Sequence, residues 1–146
     1  MIALGFLKSF NISASGMTAE RFRMRIAAEN IANVDTTRTA EGGAYRRKDV
    51  VLESNNKAFD RVLKKVRNGN GAGVRVAAVI EDDRELKHVY KPEHPDADEN
   101  GYVDLPNVDL IKETIDSMAA TRAYEANVTA FNAMKLMSQK ALEIGR

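Results

Sequence analysis

The chain contains no cysteine, which excludes a disulfide framework, cysteine-ligated zinc and thiol catalysis together. It has no charge of one sign to spare: 22 Lys and Arg stand against 21 Asp and Glu, a formal net charge of +1. That balance gives no drive toward nucleic acid or an acidic membrane surface. No apolar run approaches the roughly 20 residues that a membrane-spanning helix needs, so direct membrane insertion is not expected. Met1–Phe10 is apolar but has no basic leader, breaks at Lys8 and is followed by no small-x-small cleavage pattern. Its apolar run falls short of the about 7–15 residues of a signal core. It is read as retained, so any passage out of the cytoplasm takes another route. At 146 residues the length suits one domain with room for a small appended one.

What is present is periodicity. In Val108–Ile144 the apolar residues Val108, Ile111, Ile115, Ala119, Ala123, Ala126, Ala130, Met134, Met137, Ala141 and Ile144 recur in steps of three and four. Those steps average about 3.6, so the side chains form one straight helical stripe. No Gly or Pro interrupts it; Pro106 lies ahead, Asn107 is the candidate N-cap and Gly145 follows. Such a helix would be roughly 55 Å long. Ala120, Tyr124, Val128, Phe131 and Leu142 make a second apolar face. One partner helix cannot cover both.

Near the N-terminus, Ala3, Leu7, Phe10, Ala14, Met17, Arg21, Met24, Ala28 and Ile31 step by about 3.5 residues, a heptad-like seam with one polar member. Ser13, Ser15 and Gly16 weaken this helix locally, and it should end near Asn33. Between the helices the pattern changes. Val50–Leu52 in Tyr45–Glu53 suits a short strand, Val74–Ile80 alternates as a second, and Leu86, His88 and Tyr90 as a third. Phe59, Val62, Leu63 and Val66 have the spacing of a short amphipathic helix. Residues 68–73, and the stretch from Pro92 to Gly101, read as loops. The expected fold is α+β and mainly α. Long terminal helices (1–37 and 108–146) pair antiparallel in a coiled-coil-like manner around a small β-containing domain (38–107).

Chemistry is sparse. Asp96, Asp98, Asn100 and Gly101 match the first half of a calcium-binding EF-hand loop, but its twelfth position is Asn107 instead of a bidentate Glu. A turn whose Asx side chains bond their own backbone accounts for these residues better. His94 beside Asp96 and Asp98 is read as a solvated loop histidine. Gly69, Gly71 and Gly73 lack the Lys-Ser/Thr and the following helix of a phosphate cradle. Arg21, Arg23, Arg25 and Arg46-Arg47-Lys48 are interleaved with acids, and read as salt-bridging or solvated faces. No nucleophile–base–orienter set is visible, and no catalytic, cofactor or metal residue is assigned.

At the helix ends the sequence becomes specific. Ala28-Glu29-Asn30-Ile31-Ala32-Asn33-Val34-Asp35-Thr36-Thr37 resembles the N-terminal signature of flagellar rod and hook (axial) proteins. Arg122-Ala123-Tyr124-Glu125-Ala126-Asn127-Val128, with Phe131-Asn132 and Lys135, resembles a C-terminal signature of the proximal rod group. Tyr45-Arg46-Arg47-Lys48 and His94–Asp98 with Gly101-Tyr102-Val103 are similar to one proximal rod family, and not to FlgB. Glu29 and Thr121 depart from the family pattern, which usually has a small or amide residue and Ser there.

The resemblance implies a structural subunit of a hollow helical rod that carries motor torque across the cell envelope, exported unprocessed by the flagellar type III apparatus. Its implied partners are itself, the rod proteins FlgB and FlgF, the rod–ring adaptor FliE and the export apparatus. The candidate assembly interface comprises Leu7, Phe10, Met17, Met24, Ile31 and Asn33 on the first helix. On the second it comprises Ile111, Ile115, Ala119, Arg122, Ala123, Tyr124, Ala126, Asn127, Ala130, Met134 and Met137. A soluble coiled-coil adaptor would share these helices without needing export, and a metal-dependent enzyme would be built on the Asp96 loop.

Overall fold

The computed structural model of the chain describes residues 2–55 and 73–144. In order the elements are α1 (Ile2–Ala32), β1 (Lys48–Ser54), β2 (Val74–Glu81), β3 (Lys87–Tyr90), β4 (Tyr102–Leu105) and α2 (Leu110–Ile144). The short helix expected from Phe59 to Val66, and the loop at 68–72, lie outside the described residues.

The long helices appear where the periodicity puts them, and their ends are set by polar side chains. At the end of α1 the Asn33 N–H reaches the Glu29 and Asn30 carbonyls, while its Nδ2 also donates to the Glu29 carbonyl at 2.8 Å. Thr36 Oγ1 then donates to Asn33 Oδ1 at 3.1 Å, turning the chain away. α2 begins at Leu110, not at Val108, and Asn107 does not cap it. Asp109 Oδ1 accepts the Ile111 and Lys112 N–H groups at 3.0 and 3.3 Å. A carboxylate there satisfies orphan donors and matches the helix dipole. Asn107 is buried and engaged elsewhere, and Val108 is wholly buried.

The strands form two two-stranded sheets, β1 with β2 and β3 with β4. Bonds from Asp82 N–H to the Arg47 carbonyl and from Asn55 N–H to the Gly73 carbonyl mark the two ends of the first, antiparallel pair. In the second, antiparallel pair, His88 faces Asp104 and Tyr90 faces Tyr102. Sequence reading gave Tyr102–Leu105 no strand. Four residues with an acid among them carry too little alternation to declare one, and the pairing with Lys87–Tyr90 is what makes it.

The chain divides into two compact units, each holding part of both helices. One is Met1–Phe22, Val51–Ala78 and Ala119–Arg146; the other is Arg23–Val50 and Val79–Met118. In the first, the Phe10 and Phe131 rings meet edge-on at 4.8 Å between centroids. Further along, Gly16 lies against Asn127, so this portion of the helix pair runs antiparallel. A Cβ at Gly16 would sit 2.9 Å from Asn127 Oδ1. The glycine that weakens α1 is therefore what admits the asparagine side chain. Ser15 is also spoken for: its hydroxyl accepts the Val74 N–H at 3.0 Å and donates to the Ile12 carbonyl at 2.7 Å.

The inward face of α1 is displaced from the heptad seam expected of it. Ser13, Ala19, Ile26, Ala27 and Asn30 are buried. Phe10, Met17, Met24 and Ile31 are half-buried, and Leu7, Arg21 and Ala28 are exposed. A hydropathy pattern turns polar residues outward, whereas Asn30 goes inward because every hydrogen-bonding group it has finds a partner. Elsewhere on both helices threonines bond back to their own turn, Thr18 to the Ala14 carbonyl, Thr114 to Leu110 and Thr129 to Glu125. Among the described residues no helix is long and apolar enough to cross a membrane.

Candidate functional site

The second unit is organised around a buried polar cluster that joins the end of α1, the start of α2 and the entry to β1. Glu113 and Asn30, each 1% exposed, are its centre. Asn30 Nδ2 donates to Glu113 Oε2 at 2.8 Å and to the Lys48 carbonyl at 2.8 Å. Its Oδ1 accepts the Tyr45 hydroxyl and the Lys48 N–H, both at 2.9 Å. The amide thus uses both donors and both acceptor sites, the full capacity of the group.

Glu113 Oε1 accepts the Arg47 Nε–H at 2.6 Å. The same guanidinium lies within 3.4–3.8 Å of Asp49, Asp82 and Asp116. Asn107 completes the set. Its Oδ1 accepts the Arg47 backbone N–H at 2.8 Å, and its Nδ2 donates to the Asp82 and Arg84 carbonyls. No buried side-chain nitrogen or oxygen among the described residues is left without a partner.

The electrostatics follow from this packing. Burial works against the Arg47 charge, yet the hydrogen bond to Glu113 and the Glu113 charge outweigh it and raise its pKa. Arg84, whose Nε lies 2.9 Å from both Asp82 oxygens, holds the Asp82 carboxyl down at about 2. Burial, reinforced by the Glu29 and Glu113 charges, pushes the Tyr45 phenol from its ordinary 10.0 up to about 12. A raised pKa favours the protonated phenol in the fold, so this stabilisation is complete below pH 10.0 and lost as pH rises toward about 12. The tyrosinate absorbance of the wild-type chain minus that of Tyr45→Phe should therefore rise near pH 12. A difference curve rising near pH 10 would show the phenol to be solvated.

Around this cluster the polar loops are internally satisfied. Asp98 Oδ1 accepts the N–H groups of Asn100 and Tyr102, and His94 Nδ1 accepts that of Asp96. Asp96 Oδ2 accepts the Thr37 hydroxyl at 2.8 Å. Among the described residues no group of three or more His, Cys, Asp or Glu is placed to hold a metal ion. Glu29, the departure from the family signature, pairs with Lys48 Nζ at 2.7 Å.

The candidate interface residues separate into two sets. Phe10, Met17, Met24, Ile31, Asn33, Ala123, Tyr124, Asn127 and Met134 are half-buried within the chain. Ala119, Arg122, Ala126 and Ala130 are exposed, as are Leu7 (61%), Ile111 (73%), Ile115 (59%) and Met137 (54%). Met118 extends this uncovered apolar face of α2. Sequence reasoning did not assign Asn30, Tyr45, Arg47, Asn107 or Glu113 to any site. Asn30, Tyr45 and Arg47 lie in the signatures quoted above, the one signal that could have found them.

Two rod-specific sequence patterns cover the parts of the chain that make these helix ends. Residues 10–38 match the family described as "Flagella basal body rod protein", and residues 99–144 match "Flagellar basal body rod FlgEFG protein C-terminal". The chain is 48% identical to the flagellar basal-body rod protein FlgC of Bacillus subtilis, over 94% of this chain and 97% of that one. It is 43% identical to FlgC of Borreliella burgdorferi (97% and 98% covered) and 37% identical to that of Salmonella typhimurium (98% and 100%). The chain belongs to the FlgC family. As a member it is a structural subunit of the flagellar basal-body rod, located in the basal body and associated with other rod components. Membership also explains the signature residues physically. Asn30 holds the cluster, Asn33 and Thr36 end α1, and Thr37 anchors the Asp96 loop.

Proposed function

We propose that this subunit assembles helically through its terminal helices, as part of a hollow shaft that transmits torque and passes exported subunits. The observation that carries this reading is the apolar face of α2 left open by the chain's own fold. Ile111, Ile115, Met118 and Met137 are each more than half exposed, at 73%, 59%, 53% and 54%. On a stable helix such a stripe serves a neighbour. The subunit is structural and not catalytic. Residues 1–37 and 108–146 act as its axial segments, with 38–107 the β-containing segment between them. FlgB, FlgF and FliE are its neighbours, and the type III apparatus exports it without a cleaved signal peptide.

Electron microscopy of basal bodies, purified from cells whose sole FlgC-family protein is this chain, tests the reading. Density for α1 and α2 lining the rod lumen, with an N-terminal sequence beginning at Met1 or Ile2, is expected. Recovery of the chain only from the soluble fraction would reject it.

A further inference from the structure

We propose that the Asn30–Arg47–Glu113 cluster sets the register of α1 against α2, contributing specificity more than stability. The apolar residues buried along the two helices are Ala19, Ile26, Ala27 and Ala120. Three of the four are alanines. Alanine faces alanine about equally well at neighbouring levels, so apart from the half-buried Phe10–Phe131 and Gly16–Asn127 contacts such a seam discriminates poorly between registers. Asn30 does discriminate. Its four hydrogen bonds require Glu113 opposite it and the Lys48 backbone beside it. A slip of one heptad would bring Ala120 or Pro106 to its level, and neither side chain can bond an amide. Glu113 and Arg47 would then be buried apart from each other, the costly case for charges. A buried asparagine fixing the register of a helix pair at some expense in stability is a known use of such groups.

The absence of native cysteine permits a clean test by cross-linking of the full chain. Gly16→Cys with Asn127→Cys reports the observed register, since a Cβ at Gly16 lies 3.0 Å from Asn127 Cγ and disulfides need close Cβ atoms. Gly16→Cys with Ala120→Cys, or with Met134→Cys, each also carrying Asn127→Ala so that the new side chain is not forced against the asparagine, reports the two one-heptad slips. In the otherwise native chain only the first pair should oxidise. In the triple variant Asn30→Leu/Arg47→Met/Glu113→Leu, helicity should persist and all three pairs should oxidise to within severalfold of one another. Exclusive cross-linking of the first pair in that variant would show that apolar packing sets the register. Loss of helicity would show that the cluster supports the fold itself. Failure of the first pair to form selectively in the native background would show the register not to be fixed at all. Each of these three results overturns the proposal.

Discussion

Glu113→Ala should destabilise the chain by about 3–5 kcal/mol, the range for removing one member of a buried ion pair. Two losses combine. Arg47, itself 7% exposed, keeps its charge in a buried site without its closest counterion. Asn30 loses the acceptor for one of its amide protons, and an unsatisfied buried donor costs roughly 1–3 kcal/mol. Asp49, Asp82 and Asp116, all within 4 Å of the guanidinium at 3.4, 3.8 and 3.7 Å, soften the effect without abolishing it. Urea unfolding followed by circular dichroism measures the change. Against natural stabilities of about 5–15 kcal/mol, a loss of this size removes roughly a fifth of the total or more. Glu113→Gln, which retains an acceptor for Asn30, should be milder. An alanine variant within about 0.5 kcal/mol of wild type, the range of ordinary surface substitutions, would show that the cluster is solvated in solution.

The second large effect is expected in assembly and not in folding. Ala126 and Ala130 are exposed on α2, beside half-buried Ala123 and Asn127. Leucine at an exposed helical position costs the isolated chain almost nothing, because its helix propensity is close to that of alanine. Where a neighbouring subunit packs on that face the added volume has nowhere to go, and overpacking costs typically 1–3 kcal/mol per site. The same clash recurs in every copy. Ala126→Leu and Ala130→Leu should therefore leave thermal stability and export unchanged while cells lose motility and complete rods. Ala123→Leu is the contrast, since its half-buried position makes it lower the stability of the monomer as well. Wild-type motility in both exposed-site variants would remove this face from the interface.

Both helices were legible in the sequence because a period of three to four residues over thirty positions admits one geometry, and Val74–Glu81 because it alternates. The inward faces were not legible. Hydropathy assigns Asn30, Ser13 and Glu113 to solvent, yet all three are buried. Only the three-dimensional pairing of Asn30 with Glu113 and Lys48 shows why burial is tolerable. The α2 cap was misplaced for a similar reason. Asn107 and Asp109 are both good capping residues, and what decides between them is that Arg47 claims Asn107 from a distant part of the chain. Tyr102–Leu105 was missed because its partner strand, not its own composition, makes it extended. The spacing of Ala119, Ala123, Ala126 and Ala130 was visible in the sequence, but not that Ala123 is half-buried while the other three are exposed.

The threonines that bond back into their own helices bear on what happens when this surface loses its water. Thr114 and Thr129 are exposed on α2, near Ile111 and Ile115 and near Ala126 and Ala130, yet their hydroxyl protons are already donated to the Leu110 and Glu125 carbonyls. A hydroxyl stripped of water without a partner costs on the order of 1–3 kcal/mol on protein scales, and these two carry their partner with them. These two hydroxyls can therefore be dehydrated without a neighbour supplying acceptors for them, whereas Arg122, exposed on the same helix, still demands an acceptor from whatever covers it. At Thr114 and Thr129 the surface is apolar in effect though polar in composition, so what a covering group must match is set by the charged side chains around them.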